Sequence, residues 1–215
     1  MKISYNRRSY MNWMKPPFLT AHIHSFLNVS EANGPGKRAV IWFQGCRRRC
    51  PGCCNPDMQS LLTSDQWQLV DVMIIKRWIM ESLKDGIEGI TLTGGEPLEQ
   101  PVPCLDIIEA ARGLGLSTVL YTGYEELSCV SSNYARKVWN MSDIVVAGPY
   151  RQDSPDFNRP VGSTNKRLIF NSDRYTIKDL SRWGWAEVHV HPGGGIVQTG
   201  VMPDLLKSMR RAAIL

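Results

Sequence analysis

The chain has 215 residues, 43% of them hydrophobic, and a formal net charge of +5 from 25 basic and 20 acidic residues. A chain of this length buries roughly 70% of its unfolded surface, so we expect a single domain over residues 1–215. Within it we expect an N-terminal extension over 1–25 and a C-terminal hairpin and helix over 186–215. The apolar runs fall short of the ~20 residues that span a bilayer, and the first ten residues lead into no signal-peptide stretch, which predicts a cytoplasmic protein without a membrane partner.

A buried strand is predicted over residues 39–43, and three cysteines follow it on one short loop: Cys46, Cys50 and Cys53. Six cysteines in a chain without a secretion signal favour metal binding over disulfides. Cysteine thiolates are the usual ligands of iron–sulfur clusters, and a loop that supplies three of them to a four-iron cube leaves one iron without a protein ligand. A metal ion with an open position can bind a reacting molecule there, as catalytic zinc does.

The next two elements lead to a second motif. Apolar spacing predicts a helix over 71–80, capped from Asp65 or Asp71. A β-branched strand then ends at Thr93, which opens the run Thr93-Gly94-Gly95-Glu96-Pro97. Paired glycines at the end of a buried strand let bare backbone approach a ligand closely, and Glu96 adds a carboxylate at that strand end.

The rest of the chain continues to alternate between helix and strand. We predict helices over 101–112 and 125–139, strands over 117–121, 143–146 and 167–170, and a hairpin over 186–191 and 196–199. This order implies a parallel sheet with right-handed crossovers, but too few units for an eight-fold barrel. The predicted fold class is therefore α/β, an open partial (β/α) barrel with a C-terminal β-hairpin. The loops after the first three parallel strands should meet at one edge of the sheet and form a single site.

Further motifs accompany the two already described: Gly34-Pro35-Gly36-Lys37-Arg38, Asn55-Pro56, Tyr121-Thr122-Gly123-Tyr124, Gly148-Pro149-Tyr150 and Gly162-Ser163-Thr164-Asn165. With them, the chain resembles the radical S-adenosylmethionine superfamily over residues 26–203. Within that superfamily it is similar to the anaerobic ribonucleotide reductase activating enzymes, which are small glycyl-radical activases.

The resemblance implies a site and a reaction. The metal ligands would be Cys46, Cys50 and Cys53, and the residues that bind S-adenosylmethionine would be Thr93, Gly94, Gly95, Glu96 and Thr122. A reduced [4Fe–4S] cluster in such enzymes cleaves the cofactor to a 5′-deoxyadenosyl radical, and this radical removes hydrogen from a glycine of a partner glycyl-radical enzyme. No side chain beyond the cluster and the cofactor needs to act in catalysis. A reductase such as a flavodoxin or ferredoxin would supply the electron.

Three positions depart from the pattern of the resembled families: Gly52 and Cys54 stand where an aromatic residue is common, and Ala147 stands where an acidic one is usual. One alternative is therefore a radical S-adenosylmethionine enzyme that acts on a small molecule or peptide. A more distant one is a structural zinc module with Cys54 as the fourth ligand. Adjacent ligands at positions 53 and 54 suit tetrahedral zinc poorly.

The remaining candidates have simpler explanations. The basic run of residues 47–49 fits an acidic partner or local charge balance better than nucleic acid, because three thiolates are themselves strongly negative. His189 and His191 share one face of a predicted strand and could bind a metal, but we favour the solvent face of an edge strand. Cys104 and Cys129 are isolated, and we interpret both as packing residues.

Overall fold

The computed structural model describes residues 19–61, 68–190 and 194–201, which form a mixed α/β fold. The strands of the main sheet lie in the order β3-β1-β2-β4-β5-β6-β7. Their bounds are β1 (Thr20–Ser30), β2 (Arg38–Phe43), β3 (Gln68–Asp71), β4 (Gly89–Gly94), β5 (Ser117–Thr122), β6 (Ile144–Ala147) and β7 (Arg167–Phe170). The helices are α1 (Val72–Ser82), α2 (Pro101–Gly113) and α3 (Asn133–Met141), and β8 (Ala186–Val190) with β9 (Ile196–Gly200) forms a separate hairpin.

The centre of the sheet is parallel. The pairs β2/β4, β4/β5 and β5/β6 all run in the same direction, which confirms the predicted parallel sheet for these four strands. Antiparallel strands flank this centre, with β1 and β3 on one side and β7 on the other. Because β7 runs against β6, the residue that precedes β7 lies at the same sheet edge as the residue that follows β6.

The two faces of the sheet are covered differently. The three α-helices all contribute to one hydrophobic cluster on one face, with side chains such as Ile75, Ile107 and Val138 packed against Ile41 and Leu92. The opposite face is covered by loops and a 3-10 turn, with a smaller cluster that includes Val119, Tyr175 and Trp183. The four central strands are accordingly buried along almost their whole length, as expected of strands covered on both faces.

The elements agree with most of the sequence predictions. Helix α1 begins after Asp71, whose carboxylate accepts a hydrogen bond from Met73 N at 2.8 Å, and the hairpin lies where it was expected. The alternative cap, Asp65, lies outside the described residues. No helix in the described part of the chain is both long and apolar enough to cross a bilayer.

Two predictions on elements need correction. The helix predicted over 125–139 is confirmed only from residue 133, because the segment opens with a 3-10 turn (Leu127–Cys129), and α3 starts after Ser132, whose hydroxyl accepts a hydrogen bond from Ala135 N. Strand β1 was not predicted, although it includes residues 20–25 of the expected N-terminal extension. The alternation of buried Ala21 and Ile23 with polar neighbours was the period-two pattern that could have revealed it.

Candidate functional site

The three predicted loops meet at the carboxyl edge of the sheet. Strands β2, β4 and β5 are neighbours, with Phe43 level with Gly94 and Leu92 level with Leu120. Two backbone hydrogen bonds tie the first two loops together, from Gly95 N to Phe43 O and from Glu96 N to Gly45 O, both at 2.8 Å. The predicted convergence of the motifs on one edge is therefore confirmed.

The paired glycines are needed for this close approach. Gly94 has φ +104°, and a Cβ there would lie 2.5 Å from Phe43 O. A Cβ on Gly95 would lie 2.4 Å from Gly45 O. Both contacts are with backbone atoms that cannot rotate away, so only glycine lets the turn after β4 lie against the start of the cysteine loop.

The cysteine loop is closed by its own hydrogen bonds. The side-chain amide of Gln44 donates to Asp57 O at 3.1 Å and to Ser60 O at 2.9 Å, across the base of the loop. Gly45 N and Cys46 N donate to the same returning segment, at Met58 O and Gln59 O. These bonds hold the three predicted ligands on one short, fixed segment.

The thiols on this loop differ in environment. Cys46, Cys50 and Cys53 are half-buried, whereas Cys54 is exposed. A hydrogen bond from the Cys54 thiol is the main reason that the pKa of Cys53 falls to about 6, and the backbone N–H of Asn55 at 3.4 Å lowers it further. Burial raises the pKa of Cys46. This lowered pKa favours the thiolate form of Cys53, the form that binds metal.

Glu96 is buried, with only 1% of its surface exposed, and its carboxylate is surrounded by donors. One oxygen accepts from Leu98 N at 3.0 Å and from Thr122 Oγ1 at 2.8 Å, and the other accepts from Gly123 N at 2.7 Å. Burial raises the pKa of Glu96, and these hydrogen bonds oppose that shift. The carboxylate therefore joins the loops after β4 and β5, and it brings two predicted cofactor residues, Glu96 and Thr122, into contact.

The three consecutive arginines have different surroundings. Arg48 lies over the ring of Tyr124 at 4.1 Å, and its Nε is 3.8 Å from a carboxylate oxygen of Glu96. Arg47 is mostly exposed and pairs with Glu99 at 3.5 Å. A cavity of about 400 Å³ opens between these side chains and the first turns of α2 and α3. Arg48 is thus part of the wall of the site and not a solvated loop charge.

The segment after β6 also covers the cysteine loop, and sequence reasoning did not assign it a role beyond the motifs it contains. A Cβ on Gly52 would lie 2.1 Å from the side-chain oxygen of Gln152, so the two loops touch. Lys166, which directly precedes β7, donates to Gly148 O at 2.7 Å. The side-chain oxygen of Asn165 is buried and has no hydrogen-bond partner among the described residues. The antiparallel direction of β7 places these residues at the site.

A family model described as a 4Fe-4S single cluster domain matches residues 32–169. The chain belongs to this family. It is 31% identical over 145 residues to the anaerobic ribonucleoside-triphosphate reductase-activating protein of Enterobacteria phage T4, which covers 66% of this chain and 88% of the phage protein. A pyruvate formate-lyase-activating enzyme of Streptococcus mutans is 24% identical over 214 residues, with 92% and 77% of the two chains covered. A pyruvate formate-lyase-activating enzyme of Clostridium pasteurianum is 31% identical over 111 residues, which cover 49% of this chain and 47% of that enzyme.

Membership in the 4Fe-4S single cluster domain family confirms the predicted iron–sulfur cluster. The activating enzymes among the relatives confirm the radical S-adenosylmethionine class and, with it, the predicted cofactor. The residues that hold cluster and cofactor stay predictions, and the donor set fits them. Each iron of a cube takes one thiolate, and three half-buried thiols on one closed loop match that demand.

The zinc alternative fits the same residues poorly. Among the described residues, no three side chains of His, Cys, Asp or Glu lie close enough together to share one metal ion. A tetrahedral zinc site needs four ligands around a single ion, whereas a four-iron cube binds its thiolates at separate irons.

The other candidates lie away from this edge. His189 is half-buried beside Glu187, whose carboxylate is 3.2 Å away, while Val188 and Val190 face solvent. The expected solvent-facing position of His189 is therefore wrong, and His191 lies outside the described residues. Cys104 is buried in the core as predicted. Cys129 is exposed on the 3-10 turn before α3, so its interpretation as a packing residue is wrong.

Proposed function

We propose that the protein holds a [4Fe–4S] cluster on Cys46, Cys50 and Cys53, binds S-adenosylmethionine beside it, and generates a radical on a glycine of a partner enzyme. One observation carries most of this proposal. The hydrogen bond from Glu96 N to Gly45 O joins the turn after β4 to the start of the cysteine loop. The ligand loop and the predicted cofactor turn are therefore adjacent and fixed relative to each other.

The bound cluster would supply the one electron that cleaves the cofactor, whose fragment then removes a hydrogen atom from the substrate. The chain's own residues bind and orient. Gly94 and Gly95 offer bare backbone at the cofactor turn, which Thr93 opens, and Glu96 with Thr122 holds that turn against β5. Arg48, stacked on Tyr124, closes one wall and keeps water from the reacting groups.

The fold supports a macromolecular substrate. All three α-helices pack on one face of the sheet, as the helices of a (β/α) barrel do, and the end strands β3 and β7 are not paired with each other in the described part. We infer a partial barrel that is open at one side, where a glycine-bearing loop of a partner can enter. The relatives named as activators of a ribonucleotide reductase and of pyruvate formate-lyase support this partner class.

The electron has to come from outside the chain. We propose a small reductase of the flavodoxin or ferredoxin kind, and a cytoplasmic location, because an oxygen-sensitive cluster needs a reducing compartment. Binding of an acidic reductase would be steered by the net positive charge of the chain.

The test combines cofactor cleavage with radical transfer. Anaerobically reconstituted and reduced protein should convert S-adenosylmethionine to 5′-deoxyadenosine and methionine slowly on its own. With a glycyl-radical enzyme from the same cell, a glycine-centred signal should appear in electron paramagnetic resonance, and deuterium from labelled glycine should enter 5′-deoxyadenosine. Cys46→Ala is the matched control and should give neither product nor signal.

Two negative outcomes have different meanings. If the reconstituted protein holds iron but leaves the cofactor intact, the radical chemistry itself is wrong. If the cofactor is cleaved but no glycyl-radical enzyme acquires a radical, the partner is wrong, and a small molecule or peptide becomes the substrate to look for.

A further inference from the structure

Lys166 lies at the carboxyl edge of the sheet because of the direction of β7. That strand begins at Arg167 and runs antiparallel to β6, with Ala147 level with Arg167. The residue before β7 thus sits beside the residue after β6, and Lys166 Nζ donates to Gly148 O at 2.7 Å. Its backbone N–H donates to Ser163 O at 3.1 Å. These two bonds fix the ammonium group at the edge where the cysteine loop lies.

The ionisable groups that act on the ammonium group are thiols of the cysteine loop and one carboxylate. Its electrostatic neighbours are Cys54, Glu96, Cys50 and Cys53, in that order of strength. Among the described residues no carboxylate lies within ion-pair distance of it, whereas Arg47 and Arg48 are paired with Glu99 and Glu96. Lys166 is therefore a half-buried cation at this edge, unlike the exposed Arg49, and its charge is left for the thiolates.

Burial strengthens this interaction. Lys166 is partly buried, and the loss of hydration lowers its pKa, while the neighbouring thiols and Glu96 oppose that shift. Charges shielded from water interact through a lower effective dielectric and are screened less by salt than exposed ones. Holding the ammonium group away from water costs free energy of hydration. A negatively charged cluster beside it would offset that cost.

We propose that Lys166 is the counter-charge of the iron–sulfur cluster and raises its reduction potential. This inference rests on the proposed ligation by the three cysteines. Reduction adds one electron to the cluster, so a fixed positive charge nearby stabilises the reduced form more than the oxidised one. Net charge and hydrogen bonding around the sulfurs are among the factors that set the potentials of such clusters.

The test is a redox titration of the reconstituted cluster without S-adenosylmethionine, followed by visible absorption and electron paramagnetic resonance. Lys166→Gln removes the charge but keeps a donor for Gly148 O. We expect its cluster to be about tenfold harder to reduce, which is a shift of about 59 mV to more negative potential for one electron. Lys166→Arg keeps the charge and should titrate close to the wild type.

Arg49→Gln is the matched control, because Arg49 is an exposed cation on the cysteine loop itself. Its effect should be smaller than that of Lys166→Gln and should fade as salt is raised, whereas the effect at Lys166 should persist. Equal potentials in the wild type and Lys166→Gln, at equal iron content, would overturn the proposal.

Two further measurements separate this proposal from others. Iron content of the wild type tests the cluster itself, so a protein that assembles no cluster contradicts the proposed function and not the role of Lys166 alone. Titration with S-adenosylmethionine tests a different role for the same side chain. A Lys166→Gln variant with an unchanged potential and weakened cofactor binding would assign the ammonium group to the cofactor's carboxylate instead.

Discussion

The two edges of the central sheet each contain a buried charged residue, and the two are used differently. At the amino edge, the Arg38 guanidinium donates to Thr91 Oγ1, Tyr175 OH and three backbone carbonyls, at distances from 2.8 to 3.3 Å. At the carboxyl edge, the Glu96 carboxylate accepts from two backbone N–H groups and one hydroxyl. Both residues are nearly free of solvent contact.

The difference lies in what surrounds each charge. Around Arg38, strand carbonyls and neighbouring side chains take up the donors, and the burial of the guanidinium lowers its pKa. Around Glu96, the same loops hold half-buried thiols, a stacked arginine, a cavity and an ammonium group that has no carboxylate partner within the described ranges. A buried charge is therefore no mark of function by itself. What distinguishes the site is that polar groups around its buried charge are not all taken up by hydrogen bonds or ion pairs within the protein.

The comparison is tested most strongly by removing thiols from the carboxyl edge. Cys46→Ala, Cys50→Ala and Cys53→Ala should each lose most of the iron, because in the proposed ligation each removes the sole protein ligand of one iron. Cys54→Ala should retain the cluster, since Cys54 is exposed and lies outside the three-ligand spacing. Iron and sulfide analysis after anaerobic reconstitution measures the effect.

Equal iron loss in Cys54→Ala would show that the ligands have been assigned wrongly. Far-ultraviolet circular dichroism of all four variants is the control for folding.

The next largest effect is expected at the amino edge, on stability alone. Arg38→Met leaves several buried acceptors without donors, and each such group costs about 1–3 kcal/mol, so the free energy of unfolding should fall by roughly 3 kcal/mol or more. Denaturant titration measures this change. Tyr175→Phe removes a single partner of Arg38 and should cost about 1 kcal/mol.

The folded fraction of Arg38→Met should still assemble a cluster with the wild-type potential. A shifted potential would mean that the two edges are coupled, and the contrast between them would not hold.

A smaller effect is expected from Glu96→Gln at the carboxyl edge. The amide has one oxygen in place of two and no charge, so hydrogen bonds worth about 1.5–3 kcal/mol are weakened, and the free energy of unfolding should fall within that range. Thr122→Val is the control, because it removes only the hydroxyl donor to the same carboxylate and should cost about 1 kcal/mol.

Cofactor titration of the same variants sharpens the comparison. Because the carboxylate already accepts from the protein, we expect Glu96→Gln to weaken S-adenosylmethionine binding through the position of the turn and to lose stability at the same time. Weaker binding with full stability would show that the carboxylate faces the cofactor and not the protein.

Sequence reasoning reached the parts of the site that are local. The cysteine spacing and the Gly-Gly-Glu run are each contained within a few consecutive residues. Each follows a buried strand, and the carboxyl ends of parallel neighbouring strands lie at the same edge of the sheet. The motif that ends in Arg38 shows the limit of this approach. It stands close to the cysteines in sequence, but β2 separates them, so Arg38 lies at the opposite edge.

The missed residues depend on long-range geometry. The position of Lys166 follows from the antiparallel direction of β7, and the strand pattern of 167–170 contains no information on direction. Three adjacent arginines look alike in sequence, yet the loop turns Arg48 towards Tyr124, and Arg49 takes the left-handed conformation at φ 48°. The parallel sheet was predictable because it follows from the alternation of strands and helices, whereas its antiparallel flanks β1 and β3 required contacts between distant segments.

The smallest predicted effect concerns an exposed pair at the amino edge, between Arg182 and Glu88. The hydrogen bond from Arg182 holds the pKa of Glu88 below its usual range. A carboxyl whose folded pKa is depressed contributes stability above its unfolded pKa and loses that contribution as pH falls through the folded pKa. Because both side chains are largely exposed, we expect Glu88→Gln to lower the free energy of unfolding by only about 0.2–1 kcal/mol at neutral pH. The loss should be smaller in high salt and should vanish once acid has protonated Glu88 in the wild type.

Thermal unfolding at neutral and acidic pH measures this difference. The control is Asp153→Asn, which changes an exposed carboxylate on another loop. A cost that persists unchanged in acid would show that Glu88 acts through hydrogen bonds that do not need its charge, such as that from Lys37 N.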